Sequence, residues 1–565
     1  MSTTSVTATA TAPSTTPTTA PRTRIVVIGA GYAGLLFTTR LAGRIAARAS
    51  EMTLVNEASD FVERLRLHEF ATNRELPRRP IERTLHGTRV RFVQGRVSAI
   101  AADRRAITVV QGQQTRAIEY DYLVYAVGSL TDRQRVPGVA EYAYTLAPRG
   151  PLSAEALRER LPDLAARGGH AAVCGGGATG IETVAELATA YPRLRMRLVT
   201  DGALGAAWGK GVAGYIRRSL TRAGVAISDR THIAAVRADG VETSDGQVIA
   251  ADLVIWTGGF VAPPLAREAG LPVNERGQVV VDPYMRVLGH PEIYAVGDAA
   301  SPREEPGVPV RMSAATAIIL GAHGADCLAA AVLGKQPKPL TFAYFGQGIA
   351  LGRRDGIGFS TYPEQTPHHP YFTGWFAYQI RHVGARFLAS LPRFEWRRPG
   401  FFVWGGKGRY ATAKRRQARQ RQQAGNPARR GTVLLFALGG RFLNPLMARL
   451  AGQRHVRGFA VLRHRGRRSG RLYETPVVVR PTADGFVVPL PFGEQTDWWR
   501  NVLAARECVI RWNGAEYHLV EPELLEWTAA RPAFHRLERE VVPLLGIRRF
   551  VRLRHSPAAE EANAA

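Results

Sequence analysis

Two glycine-rich turns, each set between an apolar run and a helix-length segment, constrain this chain more than any other feature. The first reads Ile25-Val-Val-Ile-Gly29-Ala-Gly31-Tyr-Ala-Gly34, the second Val173-Cys174-Gly175-Gly-Gly177-Ala-Thr-Gly180-Ile-Glu182. In each, the first glycine permits a tight strand-to-helix turn, the second lets the backbone approach a pyrophosphate, and the third lets helix pack closely on strand. The phosphates then meet the free N–H groups at a helix N-terminus. Met52–Val55 reads as the second strand of the first unit, and Arg195–Thr200 as that of the second. Two copies of one dinucleotide-binding grammar predict an α/β chain with two Rossmann-like domains.

The ends of those second strands carry the candidate ribose ligands. Glu57 lies one place later than the usual register, which leaves Asn56 as an alternative. In the second unit the candidate is Asp201. No arginine follows it closely to receive a 2′-phosphate, which favours NADH and leaves NADPH open. Glu182 stands in the first turn of its helix. An acid there is favoured by the helix dipole alone, and a catalytic carboxylate is the competing reading. Cys174, on the apolar strand, reads as a small core residue rather than a thiol reagent.

Further strand-to-glycine junctions stand at Ala126–Gly128, Thr257–Gly259 and Ile293-Tyr-Ala-Val-Gly297-Asp298-Ala299. With the two fingerprints, they resemble the two-dinucleotide flavoproteins of glutathione-reductase-like architecture. Within that group the chain is most similar to the type II NADH dehydrogenases over roughly residues 24–360. The resemblance implies FAD in the first domain (24–150 and 273–360), held by Gly29, Gly31, Gly34, Gly128, Gly297 and Asp298, the last on the ribitol chain. It implies NADH in the second (151–272), held by Gly175, Gly177, Gly180, Asp201 and Gly258, with Glu182 near the nicotinamide. The disulfide-reductase branch needs a cysteine pair soon after the second strand, where Val62-Glu-Arg-Leu-Arg-Leu-His68 stands instead. Sulfide:quinone reductases need catalytic cysteines that Cys174 and Cys327 do not supply. The family's quinone-lining glutamines are replaced by Val310-Arg-Met312-Ser313. The helix start at Ser313 can still direct N–H groups at the flavin pyrimidine.

The last 125 residues carry a separate signal. His464-Arg465-Gly466-Arg467-Arg468-Ser469-Gly470-Arg471, then Thr475-Pro476 and Asp497-Trp498-Trp499-Arg500-Asn501, resembles the deazaflavin-dependent nitroreductases. That resemblance implies a split β-barrel over 431–565 that binds coenzyme F-420 or FMN. Glycines around Arg467 and Arg468, with Ser469 and Gly470, free the backbone to wrap a phosphate that the guanidiniums neutralise. Trp498 reads as barrel filling ahead of ring stacking.

Charge locates the remaining segments. The net charge of +28 (75 − 47) divides as +8 for 1–350, +20 for 351–500 and zero for 501–565, and 401–450 holds 11 basic residues and no acidic one. Such a block seeks phosphate in lipid headgroups, nucleic acid or a cofactor. Residues 406–430 read as a basic linker with Tyr410 as its one aromatic, which argues against single-strand nucleic-acid binding. Residues 1–23 read as a disordered tail without a secretory signal. Three scattered cysteines argue against a disulfide framework and a zinc site, so no metal is expected. No run approaches the ~20 apolar residues of a spanning helix. Within 361–405, Phe372, Trp375, Phe376, Ile380, Val383, Phe387 and Leu391 form an apolar stripe that suits a membrane interface or a packing helix.

The expected protein is therefore an oxidoreductase, cytoplasmic or peripheral on the cytoplasmic membrane face. It takes electrons from NADH through FAD to a quinone, or to a site in the fused C-terminal domain. A soluble reductase of nitro or quinone compounds, and a non-enzymatic nucleic-acid- or membrane-binding scaffold, are the alternatives. A homodimer is left open.

Overall fold

The computed structural model describes residues 22–46, 50–302, 310–340, 346–361, 367–404, 459–467, 469–490, 494, 496–535, 538–539, 542, 547 and 549–556. The tail to residue 21, the linker at 406–430, the start of the expected barrel (431–458) and Arg468 lie outside them. The chain divides into two compact units, one running to residue 358 with 362–366 and 372–410, the other comprising 359–361, 367–371 and 411–565.

In the first unit β1 (Thr23–Ile28) leads through Gly29–Gly31 into α1 (Tyr32–Arg44), followed by β2 (Ser50–Asn56), β3 (Arg91–Gln94) and β4 (Tyr122–Tyr125). The chain then builds a second fold from β5 (His170–Cys174), α2 (Ala178–Ala190), β6 (Arg195–Thr200), β7 (Ala226–Asp229) and β8 (Leu253–Trp256). It returns with β9 (Val279–Val281), β10 (Arg286–Val287), β11 (His290–Ala295) and β12 (Ala300–Pro302), then α3 (Ala314–Val332) and α4 (Gly374–Arg397). The first sheet has the order β12-β9-β10-β11-β4-β1-β2-β3, so residues on both sides of the second fold share it. The second runs β7-β6-β5-β8 and ends on the short strand Ala143–Tyr144. β1 pairs in parallel with β2 and β4, and β5 with β6 and β8. Central parallel strands are covered on both faces, which is why Ile25–Ile28 and Ala171–Cys174 are continuous buried apolar runs.

The 19-residue α3 is long and apolar enough to cross a membrane, contrary to the expectation from sequence, yet most of it is buried in the first unit's core. Small residues explain its fit. A Cβ on Gly321 would meet the Ala33 carbonyl oxygen at 2.6 Å, so α3 lies directly on α1. A buried charge cluster then fastens α4 to both helices. Arg40 on α1 donates to Asp326 of α3 at 2.7 Å, and to both oxygens of Glu395 on α4 at 3.0 Å.

The packing expected of the α4 stripe holds for part of it. Leu391 is fully buried and Phe387 packs on the core, whereas Trp375, Phe376, Ile380 and Val383 are exposed, Trp375 and Val383 by 61% each.

The second unit contains a seven-stranded, wholly antiparallel sheet. Its strands are β13 (Phe459–Arg465), β14 (Leu472–Val478), β15 (Arg480–Thr482), β16 (Gly485–Pro489), β17 (Glu507–Trp512), β18 (Ala515–Glu526) and β19 (Arg549–His555), in the order β14-β13-β17-β18-β19-β16-β15. Helix α5 (Asp497–Ala505) precedes β17. The side chains of Leu462, Val488, Ile510 and Leu553 fill its core. Here Trp499 is the buried tryptophan and Trp498 only flanks the core, so the filling expected of Trp498 falls to its neighbour.

Candidate functional site

Both glycine turns adopt one geometry, imposed by close backbone approach. Gly29 has φ +98° and a Cβ there would lie 2.4 Å from the Ala126 carbonyl oxygen, while Gly175 has φ +124° and its Cβ would lie 2.5 Å from Thr257 Oγ1. The third glycine of each turn is equally constrained. A Cβ on Gly34 would sit 1.9 Å from the Gly29 oxygen, and one on Gly180 would sit 1.9 Å from the Gly175 oxygen. The middle glycines differ: within 4 Å of a Cβ on Gly31 or Gly177 there is nothing among the described residues. Each turn therefore has two glycines fixed by the protein itself and one facing open space beside a helix N-terminus. That is the arrangement a pyrophosphate needs.

Around the first turn, Asn56 is engaged structurally. Its Oδ1 accepts the Ala30 N–H at 2.9 Å, and its Nδ2 donates to the Ala58 oxygen at 2.8 Å, which ties the glycine turn to the end of β2. Glu57 beside it is exposed and makes no side-chain ion pair among the described residues. The Gly297–Asp298 turn presses on α1, since a Cβ on Gly297 would lie 2.7 Å from that of Ala33. Ser129, just past Gly128, donates its hydroxyl to Asp298 Oδ2 at 2.8 Å. Asp298 Oδ1 is buried without a hydrogen-bond partner among the described residues, as is the Tyr32 hydroxyl. Burial holds the Asp298 carboxyl above its usual range, opposed by Ser129, by the Arg64 guanidinium and by the Ser313 backbone N–H. Arg64 donates to the Ser129 oxygen at 2.6 Å. Arg64 and Ser129 carry no motif of their own, and only the fold brings them to Asp298.

Ser313 caps α3, its Oγ accepting the Thr316 N–H at 3.3 Å. Gly128 has φ +76°, and a Cβ on Gly258 would strike the Trp256 ring at 2.9 Å.

Glu182 is neither free nor merely a partner of the helix dipole. It is buried and takes two charge-assisted bonds from Arg381 of α4, Nε to Oε1 at 2.8 Å and Nη2 to Oε2 at 2.9 Å, with the Ala350 N–H at 2.9 Å. One turn on, Glu186 accepts from Arg353 and Thr72 at 2.9 Å each. His68 is buried close to Glu182, Glu69 and Arg381, and burial drives its pKa below the usual histidine value. A carboxylate so held is fixed in place and orients its surroundings. Along the chain Arg381 stands only beside the apolar stripe, and none of its sequence neighbours points to Glu182.

Asp201 is exposed at the end of β6, and its Oδ1 lies 3.1 Å from His232 Nδ1. Cys174, Cys327 and Cys508 are buried free thiols, each pushed up to about 12 by burial, so none is a thiolate nucleophile near neutral pH.

In the second unit, Gly466 N–H donates to the Arg471 oxygen and Gly470 N–H to the Gly466 oxygen, both at 2.8 Å, closing a tight turn with Gly470 at φ +65°. Arg467 does not extend freely from it. Nη2 donates to Asp497 Oδ1 at 3.0 Å and Nη1 to Asn501 Oδ1 at 2.9 Å, while the Ser469 and Tyr473 hydroxyls are 3.1 Å apart. The open guanidinium expected of Arg467 is thus an internally paired one.

The family profile described as pyridine nucleotide-disulphide oxidoreductase matches residues 23–319. An NADH dehydrogenase-like protein of Mycobacterium tuberculosis is 30% identical over 299 residues, covering 50% of this chain and 74% of that protein. The type II NADH:quinone oxidoreductase of Staphylococcus epidermidis is 27% identical over 369 residues, covering 60% and 89%. The demethylphylloquinone reductase of Synechocystis is 29% identical over 350 residues, covering 59% and 85%. Among solved structures, NDH2 of Plasmodium falciparum in complex with NADH aligns over 66% of this chain and 97% of its own, with a TM-score of 0.57 at 16% identity.

Proposed function

The chain belongs to the pyridine nucleotide-disulphide oxidoreductases and is an oxidoreductase, and from that premise we propose that it is a FAD-dependent NADH dehydrogenase of the type II kind, reducing a quinone. The observation that carries the reading is the pair of open glycine cradles together with Asp298 Oδ1, a buried acceptor left without a donor among the described residues. A ribitol hydroxyl is the donor that atom lacks. Glu57, at the end of β2, is the ribose ligand of the first cradle, and Asp201 that of the second. Asn56 positions the first turn.

FAD held there would supply a carrier between two-electron nicotinamide chemistry and a one- or two-electron acceptor. The residues bind and orient. The N-termini of α1 and α2 would hold the two pyrophosphates, while Ser129 fixes the Asp298 carboxyl and Arg64 holds the Ser129 carbonyl. The Glu182–Arg381 pair holds the start of α2 against α4. The family's disulphide chemistry has no support in three buried, protonated and separate thiols, so electrons leave for an external acceptor. A quinone in a bilayer suits the exposed Trp375, Phe376, Ile380 and Val383, which would rest at the cytoplasmic membrane interface as aromatic and aliphatic side chains do.

The C-terminal sheet is proposed to hold a deazaflavin such as coenzyme F-420, or FMN, at the Gly466–Arg471 turn. Asp497, which pairs with Arg467, is 85% exposed. A carboxylate so open to water holds Arg467 loosely, and a coenzyme phosphate would compete with it for the guanidinium.

The test is to purify the protein, release its cofactors with acid, identify them by absorption and mass, and follow anaerobic flavin bleaching by NADH and reoxidation by a menaquinone. A colourless protein that forms no yellow complex with FAD would overturn the assignment.

A further inference from the structure

Helix α4 turns to solvent a face that carries no acid. Its one carboxylate, Glu395, is buried against Arg40, while Arg386, Arg393 and Arg397 are exposed. Arg386 and Arg393 follow Trp375 by eleven and eighteen residues, close to three and five turns of about 3.6 residues, so they share its side of the helix. The C-terminal end of this face meets a second basic segment. The short helix Ile81–Leu85 is followed by Gly87, where a Cβ would lie 2.6 Å from the Trp396 ring. Arg393 stands one turn before Trp396, which brings it to Arg83 of that short helix and to Arg79 just ahead of it. The pKa of Arg393 is accordingly lowered, by partial desolvation and then by the Arg79 and Arg83 charges. The acids of the segment are engaged elsewhere: buried Glu63 serves both Arg79 and Arg66, and Asp60 serves Arg78 at 3.0 Å. Glu82, Arg83 and Arg393 make no ion pair among the described residues. Beside Arg393, Phe394 is 47% exposed and stacks on Phe401 with ring centroids 5.3 Å apart.

We propose that Arg83 and Arg393, backed by Arg79, grip the phosphate of an anionic phospholipid, so that α4 docks on an anionic bilayer in preference to a zwitterionic one. The inference rests on the membrane-interface reading of Trp375, Phe376, Ile380 and Val383, and goes beyond it by naming the headgroup class and the residues that select it. Guanidiniums crowded together without an acid repel one another, and an anion between them relieves that repulsion. A free phosphate or a nucleic acid supplies the charge but no apolar layer for Trp375 and Phe394 on the same face. A zwitterionic lipid supplies the layer, but its ammonium offsets its phosphate. Arginine suits the junction of the two, with its stem along apolar surface and its planar fork on phosphate oxygens.

The experiment is flotation of the full-length flavoprotein with vesicles of phosphatidylcholine alone and of phosphatidylcholine mixed with phosphatidylglycerol, flavin content and thermal melting confirming that each variant is folded. The wild-type protein is expected to bind the mixed vesicles at least about tenfold more tightly. R83Q and R393Q should each weaken mixed-vesicle binding by about fivefold, and the double variant by about 20-fold, with binding to phosphatidylcholine changed less than about twofold. R218Q/R222Q removes the same charge from exposed positions on the helix Gly209–Arg222, and should change either binding less than about twofold. W375S/F376S should weaken both compositions alike, through lost apolar insertion. Equal binding to both compositions would overturn the proposal and leave the interface reading intact, whereas binding to neither, with duplex DNA bound instead or not, would remove both. Mixed-vesicle binding that survives in R83Q/R393Q, or that R218Q/R222Q reduces as much, would overturn it by assigning selection to diffuse charge. Release from mixed vesicles by inorganic phosphate at constant ionic strength would overturn it too, as the sign of a site for free phosphate.

Discussion

Arg381→Met strands a buried charge, and the size of the effect comes directly from the geometry. The two bonds to Glu182 are 2.8 and 2.9 Å long, and the Arg381 and Glu182 side chains are 15% and 7% exposed. At 2.8 Å, with an effective dielectric of about 20, the attraction is about 6 kcal/mol. Desolvating two ions costs several kcal/mol each, so the intact pair is close to neutral for stability. Removing the arginine alone breaks that balance. Glu182 keeps only the Ala350 N–H, at 2.9 Å, and the expected loss is about 3–5 kcal/mol. Hydrogen exchange of amides in Ala178–Ala190 and Gly374–Arg397 measures it locally, and protection there should fall by about 100- to 5,000-fold. The double variant E182Q/R381M has no stranded charge and should recover at least half the loss. If it exchanges as fast as R381M, the cost was lost packing of the arginine stem, and the electrostatic account is refuted.

Gly31→Ala should leave thermal stability within about 0.5 kcal/mol while abolishing flavin binding, because its Cβ enters open space that the pyrophosphate needs; Gly34→Ala, which strikes the Gly29 oxygen, should destabilise the fold itself, and scanning calorimetry beside flavin content separates the two. Asp298→Ala should raise the flavin dissociation constant by about 10- to 100-fold, for a charge-assisted bond worth about 1.5–3 kcal/mol, as read from flavin fluorescence on release. Acid should weaken the first unit through His68 and His323, whose pKa values burial depresses. Their contribution is complete above the unfolded value of about 6.5 and is lost as pH falls below it, by up to about 1.4 kcal/mol per pH unit for each histidine. Urea midpoints at pH 7.5, 6.5 and 5.5 should fall in that order, and H68Q should flatten the trend.

Legible along the chain are the local geometries that few residues can adopt. A glycine at +98° against a neighbouring carbonyl cannot be exchanged for another residue, so Gly29, Gly34, Gly175 and Gly180 announce their turns, and the apolar runs before them announce doubly covered parallel strands. Partnerships between distant segments were not legible. Glu182 meets Arg381 across 199 residues, Asp201 meets His232 across 31, and Arg467 meets Asp497 across 30. A charged side chain has no periodicity that reveals its partner, and its cost or benefit depends on burial that only packing sets. The same reason explains α3, whose composition suits a membrane, whereas the protein core that encloses it is as apolar as a bilayer. Hydropathy measures what a helix avoids, and only the tertiary structure decides which apolar surroundings it finds.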